Sequence, residues 1–142
     1  MIKKVETEQE LADAYHIREV VFIDEQEVPK ELEMDEFDAT ATHLILYQGK
    51  QPVATARFRE YGHQLAKIER VAVLKELRGK GLGQKIMRFV EEEAAKQGYQ
   101  RFRLNAQRHA EHFYAQLGYI TISEPFDEAG IEHVTMEKEK GN

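Results

Sequence analysis

Arg78-Gly79-Lys80-Gly81-Leu82-Gly83 stands between an apolar run, Ala66 to Leu74, and a helical pattern that opens at Leu82. Ile68, Val71, Ala72, Val73 and Leu74 make that run nearly continuous, as in a central strand covered on both faces. From Leu82 the spacing becomes helical, with Ile86, Phe89, Val90 and Ala94 on one stripe and Gly98 where a C-terminal cap belongs. Glycines let a backbone approach a ligand closely, and the free N–H groups of a helix's first turn point outward with the positive dipole end behind them. Arg78 and Lys80 add charge at that spot, so the turn suits a phosphate. Two commoner phosphate motifs fail here. No Gly-x-x-x-x-Gly-Lys-[Ser/Thr] occurs, and Gly79-x-Gly81 meets Gln84 where a dinucleotide fingerprint needs glycine. The competing reading is a plain strand-to-helix turn with solvated basic residues.

Outward from the turn, Arg101-Phe102-Arg103-Leu104-Asn105 alternates like a strand, which completes a βαβ unit with two parallel strands. Upstream, His43 to Tyr47 and Val53 to Arg59 flank the turn Gly49-Lys50-Gln51-Pro52 and predict a β-hairpin. Thr7 and Glu10 have capping-box spacing, and Leu11, Ala14, Tyr15, Ile17, Val21 and Phe22 predict one N-terminal helix that Pro29 ends. The segment Glu31 to Asp38 reads as a loop or short irregular helix. Downstream, Ala110 to Leu117 is helical until Gly118, and Tyr119 to Ser123 and Ile131 to Met136 are strand candidates across the turn-rich Glu124 to Gly130. The order is β-α-(loop)-β-β-β-α-β-α-β-β, a single α/β domain over residues 1–142 with a mixed sheet.

At 142 residues the chain has the size of one ordinary domain, which buries about 68–70% of the surface its unfolded chain exposes. No segment approaches the ~20 apolar residues of a membrane helix, and no apolar signal core follows Lys3-Lys4. The expectation is a cytoplasmic protein without a membrane partner. There is no Cys, which removes disulfides, zinc-thiolate sites and thiol nucleophiles. A net charge of −6 gives no footprint for nucleic acid. The basic residues Arg78, Lys80, Lys85 and Arg88 crowd one turn, whereas Asp24 to Asp38 carries eight acidic residues in fifteen against the single basic Lys30.

The loop matches [Gln/Arg]-x-x-Gly-x-[Gly/Ala], and the chain resembles the GNAT superfamily of N-acetyltransferases. Ile68-Glu69-Arg70-Val71-Ala72-Val73, the loop and its helix, Leu104-Asn105-Ala106-Gln107, and Phe113-Tyr114-Ala115-Gln116-Leu117-Gly118-Tyr119 follow in family order. The pattern Arg18-x-x-Val21-Phe22 with Glu25-Gln26 is most similar to the small bacterial ElaA-like acetyltransferases. The resemblance implies a GNAT-like, mostly antiparallel mixed sheet with a central βαβ unit and flanking helices. It also implies acetyl-CoA as co-substrate, an amine on a small molecule as acceptor, and leaves room for a homodimer. By the same resemblance the Val71-Ala72-Val73 backbone pairs with the pantetheine arm. The amides of Arg78, Gly79, Lys80, Gly81, Leu82, Gly83 and Gln84 would hold the pyrophosphate.

Within that frame Tyr114 occupies the family's general-acid position, where a phenol that is protonated at neutral pH assists departure of the CoA thiolate. Glu69 is the candidate general base, on the expectation that partial burial raises its pKa; a strand-edge ion pair with Arg70 competes with that role. Asn105 is either a cofactor contact or an ordinary strand-end residue. His109 and His112 lack a third ligand, so no metal is expected, and His43 and His133 read as core histidines, with His133 keeping a substrate-side option. The acidic run either attracts a cationic amine or is a solvated loop. Two other functions compete: acyl-homoserine-lactone synthesis, against which the absence of Trp counts, and a CoA-binding sensor without turnover.

Overall fold

Thr7 starts the N-terminal helix as its pattern predicts: Glu10 N–H donates to Thr7 Oγ1 and Thr7 N–H to Glu10 Oε1, both at 3.1 Å. The structure, a computed structural model, describes residues 1–141. Helix α1 (Glu8–Arg18) is shorter than the predicted run. After Arg18 the winding loosens into a π-helical segment, Glu19–Glu25. Its longer turn shifts the side chains relative to α1, and Val21, Phe22 and Gln26 line the large cleft described below. The acidic stretch then holds a single turn α2 (Lys30–Glu33) and a 3-10 turn, Glu36–Ala39.

The strands are β1 (Ile2–Lys4), β2 (Thr42–Gln48), β3 (Gln51–Gly62), β4 (Leu65–Val73), β5 (Arg101–Gln107), β6 (Ile120–Thr121), β7 (Phe126–Glu128) and β8 (Ile131–Glu139). They form one sheet in the order β1-β2-β3-β4-β5-β8-β6, with β7 also pairing β8. All pairs are antiparallel except β4 with β5, which flank α3 (Leu82–Lys96) and complete the predicted βαβ unit. The remaining helix is α4 (Glu111–Gln116), entered through a 3-10 turn, Arg108–Ala110.

Consecutive residues of β3, Val53 through Phe58, are all buried, so both faces of the central sheet are covered. The helices that pack on β3 are α1 and α3, contributing Ala14 and Ile17 from one and Ile86, Val90 and Ala94 from the other. One prediction needs correction: Glu124 to Gly130 is not only a turn. Phe126–Glu128 forms β7, and Ala129 and Gly130, both with positive φ, turn it back onto β8. No described helix is long and apolar enough to cross a membrane.

Candidate active site

The parallel ladder between β4 and β5 ends early. It pairs Leu65 with Arg101 through Ile68 with Leu104, although β4 continues to Val73 and β5 to Gln107. The cause lies in β4. Between Glu69 and Ala72 its register against β3 slips by one residue, and Arg70 adopts a left-handed φ of 58°. This bulge bends β4 away from β5. The side chain of Arg70 is held on the N-terminal segment by Glu33 O at 3.1 Å and Asp35 Oδ2 at 3.3 Å. A wedge therefore opens between the two strands, and the backbone of Val71 to Val73 has no strand partner on that side. The wedge forms part of a cleft of about 820 Å³ that runs from the glycine-rich turn past Glu69, Asn105 and Tyr114 to His133.

At one end of the cleft, Gly79 and Gly81 have φ of 78° and 82°, and a Cβ built on either would meet nothing within 4 Å. Gly81 is the N-cap of α3 and no side chain caps the helix. The first backbone bond there runs from Lys85 N–H to Gly81 O at 3.1 Å, so the amides of Leu82, Gly83 and Gln84 face outward. The donor set fits a phosphate. Arg78 is less free than its position suggests. Its guanidinium forks onto Glu25 at 2.6 Å through both Nη atoms, and its Nε donates to Val73 O at 2.9 Å. One of the wedge's backbone acceptors is thus already engaged.

Midway along the cleft, Tyr114 is 9% exposed, and its phenol oxygen opens on the cleft and makes no hydrogen bond among the described residues. Burial pushes its pKa up, so the hydroxyl stays protonated. Phe113 packs edge-on against it with ring centroids 5.0 Å apart. The ring of Phe113 reaches under α3, where a Cβ on Gly83 would fall 3.0 Å from Phe113 Cζ.

Glu69 departs from the expectation in its electrostatics. Burial does push its pKa up, but hydrogen bonding from Arg59 and the charges of Arg57, Arg59 and Lys67 outweigh it, and the net direction is down. Glu69 Oε1 receives Arg57 Nη2 and Arg59 Nε, both at 2.9 Å. Its partners are therefore these two arginines, with Lys67 Nζ at 3.7 Å; Arg70 pairs with Glu33 and Asp35 instead. A carboxylate so held is a weak base.

The acidic run is neither a free acidic surface nor a solvated loop throughout. Arg18, 1% exposed, binds Glu33 Oε2 at 2.8 Å and Asp38 Oδ1 at 2.6 Å. Arg57, fully buried, binds Asp38 at 2.6 Å and Asp35 at 2.8 Å. The N-terminal segment is thereby bolted to β3 and β4 by a buried ionic network, with no buried polar side-chain atom left unpaired among the described residues.

Asn105 faces the far end of the cleft, with both ends of its amide engaged: Thr135 Oγ1 donates to Oδ1 at 2.9 Å and Nδ2 donates to Glu128 Oε1 at 3.2 Å. Beside it, Gln26 and Gln107 exchange amide hydrogen bonds at 2.8 and 3.1 Å across the mouth of the wedge. His109 also bonds Gln107, at 2.7 Å. His43 is a core histidine bonded to Asp38 O at 2.9 Å, whereas His133 is buried yet lines the cleft.

The mostly antiparallel mixed sheet with its central βαβ unit and flanking helices is the fold that the sequence resemblance implied. The chain matches the Acetyltransferase (GNAT) domain family over residues 3–140. This chain belongs to the GNAT acetyltransferase family. It is an acyltransferase, similar to YjcF, an uncharacterized N-acetyltransferase of Bacillus subtilis (strain 168), at 43% identity over 93% of this chain and 94% of the relative. Protein ElaA of Escherichia coli (strain K12) is 31% identical over 87% of this chain and 83% of its own. The crystal structure of Escherichia coli ElaA superposes with a TM-score of 0.87, covering 98% of this chain and 100% of that one at 28% identity. A Bacillus subtilis acetyltransferase solved in complex with CoA shares the fold, with a TM-score of 0.71 at 19% identity and 97% coverage of both chains.

Sequence reasoning missed the network of Arg18, Arg57, Asp35 and Asp38, the Gln26–Gln107 bridge and the link between Glu128 and Asn105. Arg57 carried a signal, since it is a charged residue inside the otherwise apolar Val53 to Phe58. A buried arginine needs carboxylates, and the nearest acidic cluster in the chain is the one it binds.

Proposed function

We propose that the protein transfers an acetyl group from acetyl-CoA to a primary amine on a small molecule. The observation that carries this reading is the opened β4–β5 wedge, which runs without interruption from an uncapped phosphate-type helix start to a protonated, unpartnered phenol. An extended pantetheine arm fits such a wedge as an added strand would, pairing with the backbone of Val71 and Val73. The GNAT relative solved with CoA supports this choice of co-substrate. Acetyl-CoA would supply an acetyl thioester.

The chain's own groups divide the work. Amides of Gly79 to Gln84 hold the pyrophosphate, with Lys80 adding charge, and Arg78 closes the turn against Glu25. Tyr114 Oη gives its proton to the departing sulfur. Glu69, kept ionised by Arg57 and Arg59 with Lys67 nearby, is a weak base that holds these cations in the wall of the cleft. The protein is incubated with acetyl-CoA and a panel of primary amines while free thiol is followed, with amine-free hydrolysis subtracted. Thiol release that rises with one class of amine is expected. A panel that leaves the thiol rate at the amine-free level would replace this reading with that of a CoA-binding sensor.

A further inference from the structure

With Glu69 a weak base, another group in the cleft has to take the acceptor's proton, and His133 lines the same cleft. His133 is 6% exposed and faces the cleft from β8. Its Nδ1 lies 2.7 Å from Ile131 O, and a carbonyl can only accept, so Nδ1 carries the hydrogen. In the neutral ring the lone pair is therefore on Nε2. Phe126 stacks on the imidazole with centroids 6.1 Å apart and fixes its plane.

Nε2 lies 3.7 Å from Glu128 Oε2. That separation is too long for a hydrogen bond between them, and it leaves two acceptors side by side, within reach of two N–H donors from one ammonium group. Glu128 is kept in place at its other oxygen by Asn105. Register adds a further constraint: Asn105 pairs with Thr135 and Gln107 with His133, so these four side chains share one sheet face at the end of β5 where the wedge opens.

We infer that His133 Nε2 and Glu128 Oε2 form the subsite for the acceptor's ammonium group, and that His133 is its proton acceptor. This rests on the amine-acetylation reading above. The ammonium docks by donating to both atoms, and His133 Nε2 takes one proton to become imidazolium. The freed amine lone pair forms the C–N bond to the acetyl carbonyl carbon. The C–S bond breaks with its electron pair on sulfur, which takes the Tyr114 proton. The remaining surplus proton on the new amide nitrogen restores the phenol, and the imidazolium proton leaves to solvent.

The other charged groups around the ring are accounted for. On β7, Asp127 stands opposite Glu132 of β8. Arg108, from the turn before α4, is tied to Glu111 at 3.0 Å and to Glu132 at 3.4 Å. His109 of the same turn bonds Gln107. On this face Glu128 is the charged group whose atoms lie against Nε2.

His133→Asn tests the assignment, because the asparagine amide keeps a donor near the Nδ1 position for Ile131 O while deleting Nε2. With the best amine of the panel, kcat/KM for the amine should fall about 100-fold or more at pH 7, with CoA affinity unchanged. The variant can use only amine that is already neutral, so its rate should climb about tenfold per pH unit up to the amine's own pKa. A variant within about threefold of wild type, with the same pH profile, overturns the assignment. A second measurement needs no turnover. In the wild-type protein, 13C-labelled in its histidines and saturated with CoA, n-butylamine should shift the His133 ring resonances, and Glu128→Gln should weaken that response. If no amine is acetylated but the ring responds, the transfer reading fails and the ammonium subsite stands. If the ring does not respond, the subsite is wrong whatever the kinetics show.

Discussion

Gly83 and Phe113 meet so closely that a single added carbon would reach the ring, 3.0 Å from Cζ. Gly83 lies in the first turn of α3, where the pyrophosphate is proposed to sit, and Phe113 is the neighbour of Tyr114, so this contact joins the two halves of the proposed site. Gly83→Ala should leave stability near wild type, since the helix gains about 0.5–1 kcal/mol from losing a glycine while the ring gives way by a few tenths of an ångström. Turnover should fall more than thermal stability does, because the displaced Phe113 moves Tyr114. A melting curve beside a kcat measurement checks this, and a variant with unchanged kcat would show that the contact is only packing.

Gly81 faces open space with a positive φ, and any side chain there carries backbone strain. Gly81→Ala shares that strain with Gly81→Glu but lacks the charge, so the difference between them isolates electrostatics. Calorimetry should find CoA binding at least about tenfold weaker for Glu than for Ala, by the like-charge repulsion of a carboxylate at an anion site. Equal affinities would move the pyrophosphate elsewhere.

Tyr114→Phe removes a hydroxyl that makes no hydrogen bond among the described residues, so stability should hold or rise slightly. Loss of the acid should slow acetyl transfer by about 10²–10⁴-fold, nearer the lower figure because a thiolate is already a fair leaving group. Single-turnover kinetics with an identified acceptor separates this from slow product release. A wild-type rate would return Tyr114 to the core.

Asp38 links Arg18 and Arg57, and the buried network predicts acid sensitivity. Burial pushes its carboxyl up, but the two arginines outweigh this and hold it well below the ordinary 3.8, and Asp35 and Glu69 are likewise lowered. Folded values below unfolded ones mean that this stability is present above about pH 4–5 and is lost as pH falls through the folded values. Asp38→Asn should cost about 3–5 kcal/mol in denaturant unfolding at pH 7, the figure for leaving a buried charge short of a partner. It should also flatten the acid side of the stability profile. An equal acid slope in the variant would remove the network from the explanation.

The contrast between this network and the glycine-rich loop shows what the sequence could express. Arg78 to Gly83, the strand before it and the Phe113 to Tyr119 segment are legible because their meaning is local: a glycine spacing, a period, a turn. Arg18 meets Asp38 and Arg57 meets Asp35 only after α1, the acidic segment and β3 have packed together, and no periodicity records that. The same holds for Glu69, whose burial was foreseen but whose arginine neighbours, on the adjacent strand β3, reverse its effect. Strand β7 escaped because it is three residues long inside a run of turn formers, and its pairing is decided by β8.

The most direct measurement follows the acetyl group itself. The protein is given acetyl-CoA carrying an isotopic label in the acetyl group, together with the best amine of the panel, and the products are resolved by mass spectrometry while thiol is counted. The account predicts one labelled acetamide for each thiol released, with thiol release falling to the hydrolytic background when the amine is omitted. Label recovered as free acetate at the same rate with and without amine would contradict it.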